Sequence, residues 1–283
     1  MTQTYCRKAT RTLQSKKLHS FKLGRVKRAA EIRRQLALRK NFERFLFRRL
    51  NTVFRRFILT QLYLYREYGV YIPEAAVLRL NEEFRPVMLS FYRRLFVNAY
   101  TANNAHYDKF TKNTDVVVFG QNVVIEELVA QYYAGKELIL AGITQRLANR
   151  IQQEIELGRI DGLGVAAIAK NIRDKIIPLS RSRAQLIART EAHNALGFAQ
   201  HSYHKTVQGA TGQKLVKQWA ATLDGRTRSH HSSANGQTVD MDSDFIVNGA
   251  PMSYVGDPRG GASNVINCRC VILYTDEEDI VLN

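Results

Sequence analysis

From about Arg25 to Glu67, apolar residues recur at three- and four-residue spacings. Phe42, Phe45, Leu46, Leu50, Val53, Phe54, Phe57, Ile58 and Leu62 form one stripe, and Arg44, Arg48, Arg49, Arg55 and Arg56 occupy much of the remaining surface. That period predicts an amphipathic helix whose Phe/Leu stripe lies in a core. An aromatic–arginine face turned to nucleic acid or a membrane is the alternative use of the same residues. Gly69 and Pro73 interrupt the pattern, and a second helix is expected from Glu74 to about Tyr100, kinked or restarted at Pro86. Asn103 to Asn113 reads as a polar connection. Helical patterns resume at Val123–Tyr133 and Lys136–Leu157 and end at Gly158 and Asp161-Gly162-Leu163-Gly164. A shorter helix, Val165–Ile177, is expected to stop at Pro178, and Ser182–Val207 should form a long one.

After Gly209 the pattern changes. Gly209-Ala-Thr-Gly212 reads as a turn and Leu215–Trp219 has strand composition. Short segments follow, separated by the turn dipeptides Asp224-Gly225, Asn235-Gly236 and Asn248-Gly249, and Asn267–Tyr274 alternates toward a closing strand. The expected fold class is α+β, a mostly helical N-terminal body followed by a small β-containing C-terminal module. The expected divisions are a flexible basic tail over 1–24, a helical body over 25–160 and a module of helices then short strands over 161–283.

Charge changes this picture. Of 42 Lys+Arg and 25 Asp+Glu in 283 residues, residues 1–60 hold 18 basic side chains against Glu31 and Glu43, a net of +16 out of +17. A basic arm of this kind neutralises nucleic-acid phosphates without reading sequence, and its attraction falls steeply with salt. The candidate contacts are Arg25, Lys27, Arg28, Arg33, Arg34, Arg39, Lys40, Arg48, Arg49, Arg55 and Arg56. An acidic protein surface or an anionic membrane would satisfy the same charges. Three cysteines exclude a disulfide-stapled scaffold, and a hydrophobic content of 45% is in the globular range. The chain opens Met-Thr-Gln-Thr-Tyr-Cys-Arg-Lys and contains no uninterrupted apolar stretch of about 20 residues, so no secretory leader and no stable membrane span are expected.

Residues with chemical potential concentrate between Trp219 and Cys270. Cys268 and Cys270, at i and i+2 of an expected strand, would project to one face about 6.5–7 Å apart, awkward for a disulfide and more comfortable for a shared soft metal. With His231 or His230, and Asp224 as a further ligand, the set is adequate for a structural tetrahedral Zn²⁺. The same cysteines would equally serve as buried thiols packing as small hydrophobes. Asp224 is either a turn aspartate pairing with a nearby arginine or a carboxylate orienting His231. Arg189-Thr190-Glu191 offers an internal ion pair, with Glu191 also able to reach the β module. His193, His201 and His204 lie on or near the same helix and read as surface or semi-buried side chains, with the i, i+3 pair 201/204 as a second metal option. No catalytic set is complete: no serine or cysteine can be assigned as an activated nucleophile, so no catalytic residue is assigned and the expectation is not an enzyme.

The ordered series Ala188-Arg189-Thr190-Glu191, Trp219, Asp224-Gly-Arg226-Thr-Arg228-Ser-His-His231, Gly236, Gly256-Asp257-Pro258 and Asn267-Cys268-Arg269-Cys270 resembles the phage Mu F-like minor head protein family, also called the phage head morphogenesis family. The resemblance covers about residues 165–274 and gives His231 rather than His230 the family histidine's position. It implies a bacteriophage minor capsid protein of low copy number, made in the host cytoplasm and located in the virion, in the head interior or at the portal vertex. The implied partners are the phage portal protein, the major capsid protein and packaged double-stranded DNA, with a role in head assembly and in genome delivery. Some relatives carry a toxin or ADP-ribosyltransferase domain after this module. Here only Thr275–Asn283 follow the expected Cys-Arg-Cys strand that ends at Tyr274, which favours a structural role. The alternatives are a metal-dependent hydrolase or nuclease using His231, Cys268 and Cys270, and a membrane-active ejected protein. Arg226, Arg228 and Arg269 are expected to hold the module's loops through Asp224 or Asp257, because the chain beyond residue 60 is nearly neutral.

Overall fold

The computed structural model describes residues 25–111, 121–212 and 214–276. The basic tail over 1–24 lies outside the described residues. In chain order the elements are α1 Arg25–Tyr68, α2 Pro73–Thr111, α3 Gln121–Ala134, α4 Glu137–Ile160, α5 Val165–Thr211, β1 Leu215–Ala220, α6 Ser229–Ser233, β2 Thr238–Asp240, β3 Phe245–Val247, β4 Ala250–Met252, a 3-10 turn Pro258–Gly260, α7 Gly261–Val265 and β5 Val271–Asp276. The class is α+β, with small sheets confined to the C-terminal part.

The chain divides into two compact units, and α1, α2 and α5 each contribute residues to both. The unit formed by Asn41–Arg94 and Ile125–Glu191 is helical. Its core holds the α1 stripe Phe42, Leu46, Leu50, Phe54, Phe57 and Ile58 with Leu80, Phe84, Met88 and Phe91 of α2. The expected stripe is therefore core, while Arg44, Arg48, Arg49, Arg55 and Arg56 are exposed. Gly69 ends α1 at φ +66°, its N–H returning to Tyr65 O at 2.8 Å.

The expected stop at Pro178 is absent, and so is a restart at Pro86. α2 continues through Pro86, and α5 runs unbroken through Pro178, where local preference alone would stop it. An interior proline costs about 3 kcal/mol in an isolated helix. Both prolines face solvent, and buried residues flank each at helical spacing: Phe84 and Met88 for the first, and Ile172, Ile176, Ala184 and Ala188 for the second. Packing on the opposite face outweighs the local penalty.

The other unit comprises Met1–Lys40, Leu95–Val124 and Ala192–Asn283. Here the expected polar connection at Asn103–Asn113 is instead helix as far as Thr111; residues 112–120 lie outside the described residues. Its asparagines serve tertiary contacts. Asn103, buried, donates to Gln200 Oε1 at 2.8 Å and accepts from Arg34 at 3.1 Å, and Asn104 accepts from Tyr203 Oη at 2.7 Å. α5 extends past the expected turn at Gly209 and closes at Gly212, φ +69°.

The main sheet has strand order β2-β1-β5, antiparallel throughout, with Trp219 opposite Ile272 and Lys217 opposite Tyr274. One face carries Leu215, Trp219, Ile272 and Tyr274 against Tyr203 and Val207 of α5 and Phe245, Val247 and Met252 of the β3–β4 hairpin. The other presents Ala220, Val271 and Leu273 to Ile32 and Leu36 of α1, and Gln35 donates to Ile272 O at 3.0 Å. Asn248 and Gly249 turn the hairpin at φ 52° and 74°, the pair of positive values a two-residue turn requires.

α5 meets this module at backbone distance. A Cβ on Gly197 would lie 2.2 Å from Val255 O, and one on Gly256 (φ +84°) 2.3 Å from Asn194 Oδ1. The following turns carry buried His204 and half-buried His201: His204 stacks on Tyr274 at 3.8 Å and its Nδ1 lies 2.7 Å from Gln200 O, and His201 lies 5.8 Å from the Tyr254 ring.

This contact has measurable consequences. Gly197→Ala should destabilise the protein by about 3 kcal/mol, because the clash is with backbone and cannot be relieved by a rotamer change; chemical denaturation of the wild type and variant measures it. Burial holds His204 down to about 3 against the helping Glu31 charge, and holds His201 down to about 4 among Lys217, Lys205, Asp257 and Asp242. Their folded values lie below the unfolded value, so stability is whole above about pH 6.5 and falls as pH drops from there toward 4. Thermal unfolding across that window should show net proton uptake on unfolding, and His204→Gln should reduce the slope.

Candidate metal centre

The residues between α6 and β5 converge although they are far apart in sequence. His231 sits in the single turn of α6, which Arg228 begins with extended backbone (φ −65°, ψ 146°). Cys268 and Cys270 precede β5 rather than lying on a strand, contrary to the sequence expectation. Asn267, at φ +57°, turns the chain between α7 and the strand and brings both sulfurs inward. The ligand atoms of His231, Cys268 and Cys270 all lie within 4.8 Å of one another, and all three side chains are buried. His231 Nδ1 is 3.3 Å from Cys270 Sγ and 3.5 Å from Cys268 Sγ. Among the described residues this is the group of three or more metal-ligating side chains that could hold a cation.

The two thiols are shifted in opposite directions. Hydrogen bonding from Cys270, then the His193 and His231 imidazoles, holds Cys268 well below the usual thiol range despite burial. Cys270 is raised, because it keeps the proton it offers Cys268 and because it is buried; the Trp219 indole N–H and the Thr222 backbone work in the opposite direction. Trp219, fully buried, stands edge-on to the His231 ring at 5.8 Å and to Phe245 at 5.5 Å. His193, expected at or near the surface, is buried against Cys268.

Asp224, the fourth ligand offered by the sequence, is exposed and outside this group. It is bound by both terminal nitrogens of Arg269, and its Oδ1 accepts the Arg226 N–H at 3.0 Å, so its carboxyl is held well below the ordinary range, chiefly by Arg269. Of the other two arginines assigned to loop pairing, Arg228 donates to Ile266 O at 2.6 Å, and Arg226 contributes its backbone N–H to the Asp224 turn. Gly236, at φ +86°, donates its N–H to Trp219 O at 2.8 Å and closes the turn into β2.

Asp257 is buried and accepts N–H groups of Ser253 (2.8 Å) and Arg259 (3.0 Å). Pro258 begins the 3-10 turn, and the Arg259 guanidinium bridges Asp257 to Asp244 at 2.7 and 2.8 Å. Arg259 brings Asp244 down to about 2. Neither Arg259 nor Asp244 stands out in the sequence; their partnership depends on the hairpin β3–β4, which folds Asp244 back over the loop. Buried Lys217 donates to Ser253 O at 2.8 Å, and burial lowers it to about 8.

Glu191 and Arg189 do not pair with each other. Arg189 Nε reaches Glu43 at 3.2 Å. Glu191, buried, accepts from Tyr92 Oη at 2.8 Å and lies 3.5 Å from both Tyr132 Oη and Lys136 Nζ, partners that all stand in its own helical unit. His201 and His204 hold no shared metal position; each packs on an aromatic neighbour. Of the proposed phosphate contacts, Arg33, Lys40, Arg48, Arg49, Arg55 and Arg56 are exposed, and Arg28, Arg34 and Arg39 are half-buried. Arg34 is engaged by Glu31 at 2.7 Å and Arg56 by Glu83 at 2.6 Å. The side chains of Arg25 and Lys27 lie outside the described residues. No described helix is long and apolar enough to cross a membrane.

Residues 149–273 match the family model described as phage Mu protein F like protein. Minor head protein GP7 of Bacillus phage SPP1 is 32% identical over 139 residues, 47% of this chain and 42% of that protein. NAD(+)--arginine ADP-ribosyltransferase EFV of Enterococcus faecalis (strain ATCC 700802 / V583) is 33% identical over 154 residues, 53% of this chain and 30% of that protein. The chain therefore spans less than half the length of these curated relatives. No solved structure matches it. Trp219, the Asp224-to-His231 segment, Gly256-Asp257-Pro258 and the Cys-Arg-Cys segment all fall inside the matched region, and over residues 149–273 the chain belongs to the phage Mu protein F-like family.

Proposed function

We propose that the protein is a low-copy minor head protein that docks on the portal or inner capsid and contacts packaged double-stranded DNA through its basic N-terminal region. The observation carrying this reading is the likeness to a protein named minor head protein, together with a family match over residues 149–273 that contains the ordered motif series. The site chemistry is in keeping with it. Asp224, Asp257 and Glu191 are each engaged by a cation or a hydroxyl, and among the described residues no side chain beside the cysteines and histidines is placed as a general base for hydrolysis. The paired acids and arginines of the C-terminal motifs hold loops, and the DNA contacts fall to the exposed bases of α1 and the residues before it. Location in the virion, with assembly in the host cytoplasm, belongs to the same proposal.

The likeness to an ADP-ribosyltransferase supplies a second reading, in which the chain transfers ADP-ribose to arginine. Incubating the purified protein with labelled NAD⁺ and an arginine-rich acceptor separates the two; the minor-head reading expects no label transfer.

The main test has two arms. Heads assembled by co-expressing the capsid and portal genes of the same genome should retain this protein at a few copies, and its absence from purified heads would overturn the virion assignment. For DNA, the variant Arg33→Gln, Lys40→Gln, Arg44→Gln, Arg48→Gln, Arg49→Gln, Arg55→Gln removes six exposed charges while sparing the core. If all six meet phosphates, the slope of log affinity against log salt should fall in magnitude by about 5. An unchanged slope would place the DNA contacts elsewhere.

A further inference from the structure

We propose that His193, His231, Cys268 and Cys270 together bind one divalent cation of the zinc class, in a closed tetrahedral site that ties helix α5 to the β module. This goes beyond the minor-head reading and stands independently of it. His193 takes the fourth position that the sequence offered to Asp224.

The first argument is oversubscription. His231 Nδ1 lies within hydrogen-bond distance of both sulfurs, at 3.3 and 3.5 Å. A neutral imidazole nitrogen has either one hydrogen or one lone pair, so it cannot make a full hydrogen bond to each. A cation bonded to all three atoms satisfies them together. With Zn–S about 2.3 Å and Zn–N about 2.0–2.1 Å, a tetrahedral centre places N and S about 3.6 Å apart. The observed separations are already close to that value.

The second argument is the state of His193. It is 3% exposed and acts on Cys268 from outside the group whose ligand atoms are mutually within 4.8 Å, so its ring has to turn to complete the site, and its Nε2 is buried with no hydrogen-bond partner. A buried polar nitrogen without a partner is destabilising, because it gives up its hydrogen bonds to water and gains none in return. A metal bond, or a hydrogen bond made once the ring turns to coordinate, removes that cost. Asp224 cannot compete, because both its carboxylate oxygens are taken by Arg269 at the exposed rim.

The donor set selects the ion. Two thiolates and two imidazoles suit Zn²⁺ and exclude Mg²⁺ and Ca²⁺, which take oxygen ligands. Both sulfurs bind as thiolates, and the thiol protons leave to solvent. Four protein ligands leave no position for water or substrate, so the centre is structural.

The test uses the full chain. Metal-stripped protein, titrated with Zn²⁺ alone, should bind one equivalent, gain thermal stability with increasing free Zn²⁺ and lose it to a chelator. The Co²⁺ form should show the visible spectrum of tetrahedral coordination with thiolate-to-metal charge transfer. His193→Gln should weaken Zn²⁺ binding by more than about 100-fold, the upper range for perturbing even a ligand's neighbours, and should alter the Co²⁺ spectrum. Asp224→Asn should change neither. Failure of the stripped wild type to bind Zn²⁺ or Co²⁺ would overturn the site. Binding and spectra preserved in His193→Gln but altered in Asp224→Asn would overturn the assignment of His193. Should His193→Gln not fold, the wild-type Co²⁺ spectrum decides: a two-thiolate, four-coordinate signature upholds the site, and a five- or six-coordinate one overturns it.

Discussion

The close approach of α5 to the loop ahead of Asp257 is the constraint on which the C-terminal unit depends. Gly197 and Gly256 let a helix backbone and a loop backbone meet without intervening side chains, Gly197 against Val255 O and Gly256 against Asn194. That contact fixes the height and rotation of α5. From it follow the burial of His193 beside Cys268, the packing of Phe198 and His201 on Tyr254, and the stacking of His204 on Tyr274 one turn further on. Asp257 stands next to Gly256, so the same approach positions the carboxylate that caps the following turn and gathers Arg259 and Asp244. The Gly-Asp-Pro segment thus serves the module's construction: its glycine admits the helix, its aspartate orders the loop and its proline starts the turn.

The two concentrations of arginine then have different electrostatic consequences. In the C-terminal unit Arg269 is matched to Asp224 and Arg259 to Asp257 and Asp244, so each cation is neutralised within a few ångströms and contributes little field beyond a Debye length. The first 60 residues carry 18 bases against two acids, so acids within that stretch can match only a few of them. The chain's excess positive charge is therefore concentrated in the N-terminal region. Its helical portion can display those charges because the α1 stripe from Phe42 to Ile58 is buried on the opposite side.

Sequence periodicity exposed what depends on local repetition: the long helices, the buried stripe of α1 and the Asn248-Gly249 hairpin. It misjudged positions where tertiary partners override local preference. Asn103 and Asn104 have loop composition, yet their amides are consumed by Gln200, Arg34 and Tyr203, which makes helix the better solution. Pro178 breaks isolated helices, but buried side chains on the opposite face carry α5 past it. The Cys-x-Cys pair was legible as a metal candidate from spacing alone. Its local geometry was not, because the positive φ of Asn267 that turns both sulfurs inward leaves a weak trace in sequence. His193 was one of three histidines on one helix, and only the glycine contact decides which of them faces the cysteines.

A small module explains why such a centre would matter. Residues 215–276 contain three strands of three residues each, and the sheet's only long pairing is β1 with β5. Below about 70–80 residues a hydrophobic core seldom suffices without a staple, and this one borrows helices α1 and α5 to cover its two sheet faces. Those helices secure the strands. They do not secure the irregular stretches that flank them, 221–237 and 266–270, where ladder hydrogen bonds are few and turns are closed singly. The Arg269–Asp224 pair joins these stretches at the exposed rim, where water and salt weaken it. His231 and the two cysteines join the same stretches on the dry side, and His193 extends the junction to the helix. A bond network there acts where the fold has least other support, which is why the interior of this junction, rather than its charged rim, should govern the module's integrity.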